Sequence, residues 1–218
     1  MPFQNRLDAG RRLAQALKVY RQQQPVVFAL PRGGVPVAAQ VSAALAAPLD
    51  LVIARKVGVP FQPELAMGAI AEGPEPIVVR NEDVIALAGV DEAEFAAVCE
   101  RERQEIERRR RRYLGDRAAV AVAGQTAIVI DDGIATGATM RAALRAIRAR
   151  KPKKLVLAVP VAPTSTLAQL RQEVDDVVCL EEHEPFGAIG MFYRDFHQVS
   201  DEEVVDLLAR RQAPASSA

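Results

Sequence analysis

The sequence is poor in the residues that build disulfide scaffolds and metal centres. It has two cysteines, Cys99 and Cys179, and two histidines in 218 residues. The cysteines lie far apart and form no Cys-x-x-Cys pair, so neither a zinc site nor a disulfide framework is indicated. We expect both cysteines to be reduced, buried and apolar in character, and we expect no dedicated metal-ligand motif.

The sequence also lacks an excess of either charge. Its 28 Lys and Arg residues balance its 28 Asp and Glu residues, so no general attraction to nucleic acid or to an anionic membrane is expected. No segment approaches the roughly 20 apolar residues of a membrane span, and the N-terminal residues have no apolar stretch of the signal-peptide kind. These absences predict a cytoplasmic protein.

The sequence does contain buried strands that alternate with helices. The apolar runs VVFAL, LDLVIA and TAIVI, residues 155–161 and VDDVVCL are predicted strands. Helical patterns follow several of them. This alternation predicts an α/β fold in which helices cover both faces of an open, mostly parallel sheet, with ligands at the carboxyl ends of the strands.

Several segments outside these strands have their own predicted roles. An amphipathic helix with Leu7, Leu13, Leu17 and Tyr20 on its apolar side is expected from Asn5 to about Tyr20. A capping-box pattern at Asp91 predicts a long helix to about Leu114. We expect one domain over residues 1–218, with a core at about 25–180, an exposed mobile loop and flap at about 55–80, a hood from about 1–22 and 181–198, and a disordered tail at 212–218.

The segment from Ile128 to Thr139 carries the most specific chemistry. Asp131 and Asp132 follow a buried strand, where two carboxylates can accept hydrogen bonds from vicinal sugar hydroxyls. The next residues begin a helix whose free N–H groups form an anion site, and small side chains let a phosphate reach the backbone. The predicted phosphate-binding residues are Gly133, Ile134, Ala135, Thr136, Gly137, Ala138 and Thr139. A diol site beside a phosphate site indicates ribose 5-phosphate. The alternative is that these polar residues only cap a helix.

Residues 128–140 resemble the signature of the type I phosphoribosyltransferases, and the resemblance extends in order over about residues 25 to 160. It implies an enzyme that transfers ribose 5-phosphate from 5-phosphoribosyl-1-pyrophosphate to an acceptor such as a nucleobase and releases pyrophosphate. It further implies Mg²⁺ as cofactor and a homodimer. The pattern D-D-x-x-A-T-G-x-T is closer to adenine phosphoribosyltransferases, and Ala135 stands where 6-oxopurine members carry an Asp.

The resemblance also assigns residues to pyrophosphate. The turn at Pro31 to Gly34 resembles the family's pyrophosphate loop, in which the peptide bond is often cis, and Arg32 and Gly33 would bind there. Arg55 and Lys56 resemble the basic residues of the mobile catalytic loop, with Lys56 implied in catalysis. Arg194 could also reach pyrophosphate. For the turn and for the Arg55-Lys56 pair, the alternative is ordinary solvated loop residues.

The sequence does not identify the acceptor. Glu72 occupies a position similar to the proposed general base of the adenine enzymes, although an exposed turn carboxylate is the competing interpretation. Phe186, Phe192 or Tyr193 could stack on a planar base, against the alternative of core packing.

Two other functions remain open. Arg108 to Arg112 are five consecutive arginines, which favour a regulator that senses 5-phosphoribosyl-1-pyrophosphate or binds RNA. However, Glu105 and Glu107 stand at i,i+4 spacing from Arg109 and Arg111, which is typical of a solvated helix face. A non-catalytic binding module is the third interpretation.

Overall fold

The computed structural model describes residues 2–73 and 75–210. In chain order these residues form strands β1 (Val26–Ala29), β2 (Leu49–Leu51), β3 (Ala54–Val59), β4 (Gln62–Ala71), β5 (Ile77–Arg80), β6 (Thr126–Ile130), β7 (Lys154–Pro163) and β8 (Asp176–His183). The α-helices are α1 (Arg6–Ala16), α2 (Gly34–Leu45), α3 (Glu82–Ala88), α4 (Glu92–Leu114), α5 (Ala138–Ala149), α6 (Thr164–Leu170) and α7 (Asp201–Arg210). Two 3₁₀ helices span Leu17–Gln23 and Ile189–Phe192.

The main sheet has five parallel strands in the order β2-β1-β6-β7-β8. The chain moves from β1 to one side and from β6 to the other, so the strand order reverses between β1 and β6. Such a reversal opens a crevice at the carboxyl ends of the two strands. The predicted α/β class, the parallel sheet and its five strands are confirmed.

Both faces of the sheet are covered by helices, as predicted. Along β1, Val27 and Ala29 join the apolar cluster that contains α1 and α2, while Val26 and Phe28 join the cluster that contains α5 and α6. Successive strand residues point to opposite faces, so a strand buried on both sides is apolar throughout. This explains why the sequences of the predicted strands are continuous apolar runs.

A second, antiparallel sheet in the order β3-β4-β5 extends from the end of β2. The prediction of an exposed loop after residue 54 was wrong in local structure, because β3 and β4 form a long hairpin there. Val57, Val59 and Met67 are fully buried in it. Interspersed Gly and Pro residues hid this burial pattern from a periodicity search, since both disfavour strands. Mobility of the hairpin stays a prediction.

The first helix buries a different stripe from the predicted one. Its buried residues are Arg6, Ala9, Gly10, Leu13 and Ala14, which follow the i, i+3, i+4 spacing of one helix face. Leu7 is 39% exposed, so its assignment to the apolar stripe was wrong. Arg6 takes that place, with consequences for the site described below.

Other local predictions had mixed outcomes. The capping box at Asp91 and Glu94 is present and begins α4. Both cysteines are free but only half-buried, so full burial was wrong. Helices α3 and α6 had not been predicted. The predicted disordered tail lies outside the described residues. Within residues 2–73 and 75–210, no helix has the length and apolarity of a membrane span.

Candidate ribose phosphate site

A polar cavity of about 410 Å³ lies at the carboxyl ends of β1 and β6. Three parts of the chain form its walls: the turn after β1, the acidic pair after β6, and the hood predicted from both ends of the sequence. Its lining residues are Arg6, Pro31, Arg32, Gly33, Asp131, Asp132, Phe196, Gln198 and Val199. The crevice at the strand reversal therefore brings together residues more than 150 positions apart in sequence.

The turn after β1 packs directly against the acidic pair. A Cβ atom added to Gly33 would lie 2.1 Å from Oδ2 of Asp132, and one added to Gly34 would lie 2.7 Å from the carbonyl oxygen of Ile130. Both glycines are therefore required by close approach. The peptide bond between Pro31 and Arg32 is cis, as the resemblance implies.

The two aspartates differ in their electrostatic surroundings. Burial, and then the charge of Asp132, raise the pKa of Asp131 well above its ordinary value. The backbone N–H of Asp132 donates to Oδ1 of Asp131 at 2.8 Å, which partly opposes the shift. Burial disfavours the ionised form of a carboxyl group. The free site thus holds one carboxylate whose charge is costly until a donor arrives.

Arg6 was missed by the sequence-based reasoning, yet it contacts the acidic pair directly. Its Nε atom donates to Oδ2 of Asp132 at 2.7 Å, and both side chains are about nine-tenths buried. Nη1 donates to the carbonyl oxygen of His197 at 2.7 Å. The ring of Phe196 stacks 3.9 Å from the guanidinium carbon. A charged residue on the apolar stripe of a helix was the available signal.

The predicted phosphate loop leaves β6 and enters α5. Ile134 is tied to β7 by its N–H, which donates to the carbonyl oxygen of Val161 at 3.0 Å. Gly137 is the N-cap, with φ of +78°, and provides no side-chain hydrogen bond. The first N–H groups of a helix have no intrahelical acceptor. Ala135 and Thr136 are exposed, so an anion can approach this helix end, although the loop does not line the cavity itself.

Of the predicted pyrophosphate residues, Arg32 and Gly33 line the cavity and the others do not. Nη1 of Arg32 lies 3.6 Å from Oδ1 of Asp201 at the start of α7. Arg55 donates to Glu102 of α4 at 2.7 Å, and Lys56 lies 3.2 Å from the carboxylate of Glu64. Arg194 is exposed. The roles of Arg55, Lys56 and Arg194 stay predictions that require a change in side-chain position.

Glu72 is not placed at this cavity. It lines a second, separate cavity beside α4 and α5. Its carboxylate accepts hydrogen bonds from the backbone N–H of Ile53 at 3.1 Å and from Arg110 at 2.9 Å. Burial raises the pKa of Glu72, and Arg110 opposes that shift. The structure therefore does not bring Glu72 together with Asp131 and Asp132, and its assignment as general base stays a prediction.

The aromatic residues of the hood divide between packing and the cavity. Phe186 and Phe192 stack on each other at 4.9 Å, away from the cavity lining. Tyr193 is buried, and its hydroxyl donates to the carbonyl oxygen of Asp132 at 2.5 Å. Phe196, which had not been singled out, is the aromatic residue that lines the cavity among the described residues.

An acidic pair, a glycine turn and a helix N-terminus at one strand reversal define an α/β domain whose candidate ligand site lies at the carboxyl ends of the strands. The model of the phosphoribosyl transferase domain matches residues 3–196. The chain belongs to the phosphoribosyl transferase domain family.

Similar proteins agree with this membership. Two Mycobacterium tuberculosis proteins, from strains CDC 1551 and H37Rv, carry phosphoribosyl transferase in their names and are each 47% identical over 208 residues. The alignment covers 95% of this chain and 46% of theirs, so the chain spans about half their length. The crystal structure of TT1426 from Thermus thermophilus superposes with a TM-score of 0.81 at 39% identity, covering 96% of this chain and 99% of that one.

Proposed function

We propose that this domain is a phosphoribosyltransferase that takes ribose 5-phosphate from 5-phosphoribosyl-1-pyrophosphate, transfers it to a small acceptor and releases pyrophosphate. The observation that carries the proposal is the contact between Gly33 and Asp132 across the β1–β6 crevice. Because of this contact, a turn suited to pyrophosphate lies next to carboxylates suited to the ribose hydroxyls, so that one molecule of 5-phosphoribosyl-1-pyrophosphate could reach both. Family membership supports the same reaction.

In this proposal the aspartates and the helix end have separate tasks. Asp131 and Asp132 accept hydrogen bonds from the two ribose hydroxyls, while the N–H groups at the start of α5 bind the 5-phosphate. Arg32 stabilises the negative charge that develops on the leaving pyrophosphate. Arg6 fixes the direction of the Asp132 carboxylate through its hydrogen bond to Oδ2 at 2.7 Å. These contacts orient C1 of the sugar toward the hood.

The residues present fit Mg²⁺ as a cofactor carried by the substrate. The described residues contain no group of three or more His, Cys, Asp or Glu side chains suited to hold a metal ion by themselves. Mg²⁺ commonly keeps several waters and binds through substrate phosphates with one or two carboxylates. Asp131 and Asp132 are those carboxylates in our proposal, and the ion would neutralise pyrophosphate charge.

We place the acceptor between the sugar site and the hood. Phe196 lines the cavity, and since the Arg6 guanidinium covers one face of its ring at 3.9 Å, we place the acceptor against the face that Arg6 leaves free. A planar, nucleobase-like acceptor fits such a face better than a small amine, because stacking needs extended contact.

The RNA-binding alternative loses support from the contacts of α4. Arg108 and Arg109 both donate to Glu105, Arg110 donates to Glu72, and Arg112 contacts Asp201 and Glu202. Arginines engaged with carboxylates of the same chain present less free positive charge to a phosphate backbone. The predicted homodimer and the cytoplasmic location remain predictions.

Turnover is tested by pyrophosphate release in the presence of Mg²⁺, with purine bases, pyrimidine bases and small amines screened as acceptors. We expect release that depends on one class of planar acceptor and falls at least about 100-fold in the double variant Asp131→Asn/Asp132→Asn, as expected for two charge-assisted hydrogen bonds. A control double variant, Asp83→Asn/Asp116→Asn, removes the same charge from exposed positions. Acceptor-dependent release that is equal in both double variants would contradict the assigned site.

A further inference from the structure

The cavity beside α4 and α5 is not used by the proposed reaction. Its volume is about 510 Å³, within the range of small-molecule sites. It lies between the edge of the main sheet at Val52, the hairpin strand β4, and the two helices. The two cavities have no lining residue in common. A ligand here would therefore not compete directly with one at Asp131 and Asp132.

The walls of this cavity are largely apolar. Val52, Ile70, Ile106, Ala146 and Ile147 contribute buried side chains from the sheet, the hairpin and both helices. Walls of this kind favour a ligand with an apolar body, because the ligand's surface is removed from water as it binds. An entirely polar ion would lose its hydration without equivalent compensation.

Charged side chains converge on the same space. Three arginines (Arg103, Arg110 and Arg150) and two glutamates (Glu72 and Glu107) line it, so three positive and two negative charges give a formal charge of +1. The carboxylate of Glu72 is already engaged by Ile53 and Arg110. Glu107 pairs with Arg103 on the surface of α4. Arg103 also donates through Nε and Nη2 to Glu100, which does not line the cavity. The unbalanced positive charge of the lining is therefore carried mainly by Arg150.

The arginines retain donors for a ligand. A guanidinium carries five N–H donors, and the contact of Arg110 with Glu72 is made by Nη1. Arg150 donates to the carbonyl oxygen of Val120 through Nη2, and its guanidinium lies 4.8 Å from the ring of Phe28. Arg103 is about four-tenths exposed at the rim, and its Nε, Nη1 and Nη2 each donate to Glu100 or Glu107, so one N–H on each Nη is left for a ligand. Partly desolvated guanidinium groups on an apolar cavity wall are suited to a carboxylate, sulfonate or phosphate group.

We propose that this cavity is a second ligand site, which binds a small organic anion with an apolar, preferably aromatic, body. The apolar body occupies the space between Ile70, Ile106 and Ile147, and the anionic group lies against the arginines of α4 and α5. The proposal does not depend on phosphoribosyl transfer, because it rests on residues outside the ribose phosphate site.

Titration with 1-anilinonaphthalene-8-sulfonate tests the proposal, since this probe combines an aromatic body with an anion and fluoresces in apolar surroundings. We expect saturable binding to the wild-type chain. Arg103→Gln should weaken it about five-fold, the size of one partly exposed charge-assisted contact. Arg108→Gln is the matched control, because Arg108 lies on the same helix and also pairs with a glutamate three residues earlier, but does not line the cavity.

A blocking variant tests the location independently of charge. Ala119 lies at the exposed rim of the cavity, and Ala118 is an exposed neighbour that does not line it. We expect Ala119→Trp to weaken probe binding at least about ten-fold by filling the entrance, and Ala118→Trp to leave it unchanged. Equal binding by the two tryptophan variants would overturn the assignment.

Competition separates this site from the ribose phosphate site and tests the need for charge. Benzoate and phenyl phosphate should each displace the probe, whereas benzyl alcohol, with a similar body and no charge, should not at equal concentration. Pyrophosphate with Mg²⁺ should also fail to displace it. Displacement by pyrophosphate would place the probe at the other cavity, and equal displacement by benzyl alcohol would remove the role of the arginines.

Discussion

At the scale of single residues, the ribose phosphate site combines a costly charge with a buried ion pair. Asp131 has a raised pKa because it is buried near another carboxylate, while Asp132 is held by Arg6 at 2.7 Å. Asp131 accepts a hydrogen bond from the backbone N–H of Asp132, and further donors from a bound ligand would offset the cost of its charge. Function here opposes stability, which is common at binding sites.

Asp131→Asn should raise the free energy of unfolding of the free protein at neutral pH. The folded-state pKa lies above the ordinary value of 3.8, so the native state binds the proton more tightly than the unfolded chain does. Stability of the wild type therefore falls as the pH rises from about that ordinary value through the raised pKa, and stays lower above it. Urea unfolding over a pH series measures this.

The stability difference between Asp131→Asn and the wild type should disappear toward the acid end of that series, where the aspartate is protonated in both states. The variant should also bind 5-phosphoribosyl-1-pyrophosphate more weakly. A variant less stable than wild type at neutral pH would contradict the assigned cost of the Asp131 charge.

Arg6→Met should destabilise the chain by about 3–5 kcal/mol, because it leaves the carboxylate of Asp132 buried without its partner. The double variant Arg6→Met/Asp132→Asn should recover part of this loss, since no buried charge is left unpaired. Arg12→Met is the control: Arg12 pairs with Asp8 on the same helix but is 44% exposed, and its loss should cost about 0–1 kcal/mol. Equal losses in the two single variants would argue against a special role for Arg6.

At the scale of elements, the turn after β1 and the end of β6 form one structural unit. Gly33→Ala would place a methyl carbon 2.1 Å from Oδ2 of Asp132, which is closer than van der Waals contact allows. We expect overpacking to lower the free energy of unfolding by about 1–3 kcal/mol and to weaken ligand binding. Thermal unfolding measures the first and calorimetry the second. In the background of Asp132→Ala the same change should cost much less, and an undiminished cost would place the strain elsewhere.

The elements that the sequence predicted are those whose signals are local. Strands β1 and β6 are continuous apolar runs, α4 begins with a capping box, and Asp131 directly follows its strand. The hairpin of β3 and β4 was not predicted, because its burial arises from packing against α4 and α5 rather than from its own pattern. Tertiary contacts decide such strands.

The proximity of the turn after β1 to the acidic pair was predictable on the same basis. The turn at Gly33 and the acidic pair are local motifs, and the topology of a parallel sheet brings them to one edge. Arg6 and Phe196 come from opposite ends of the sequence and reach the cavity only through the hood. No local pattern joins them. The position of Glu72 likewise depends on the direction in which the hairpin extends from β2. No hydrophobic periodicity in the sequence indicates that direction.

At the scale of the whole molecule, one sheet carries two cavities with different chemistry. The first is polar and lies at the strand reversal, and the second is largely apolar and lies at the sheet edge. Helix α5 begins at the predicted phosphate loop, and Ala146 and Ile147, near its end, line the second cavity.

Calorimetric titration of the wild-type chain with 5-phosphoribosyl-1-pyrophosphate and Mg²⁺ tests the ribose phosphate site most directly. We expect saturable binding at one site per chain, weakened at least about 100-fold in Asp131→Asn/Asp132→Asn and unchanged in Asp83→Asn/Asp116→Asn, because in our proposal only the first pair contacts the ribose hydroxyls. The absence of binding to a folded wild-type chain, or equal affinity in both double variants, would contradict the assignment of Asp131 and Asp132 to the sugar.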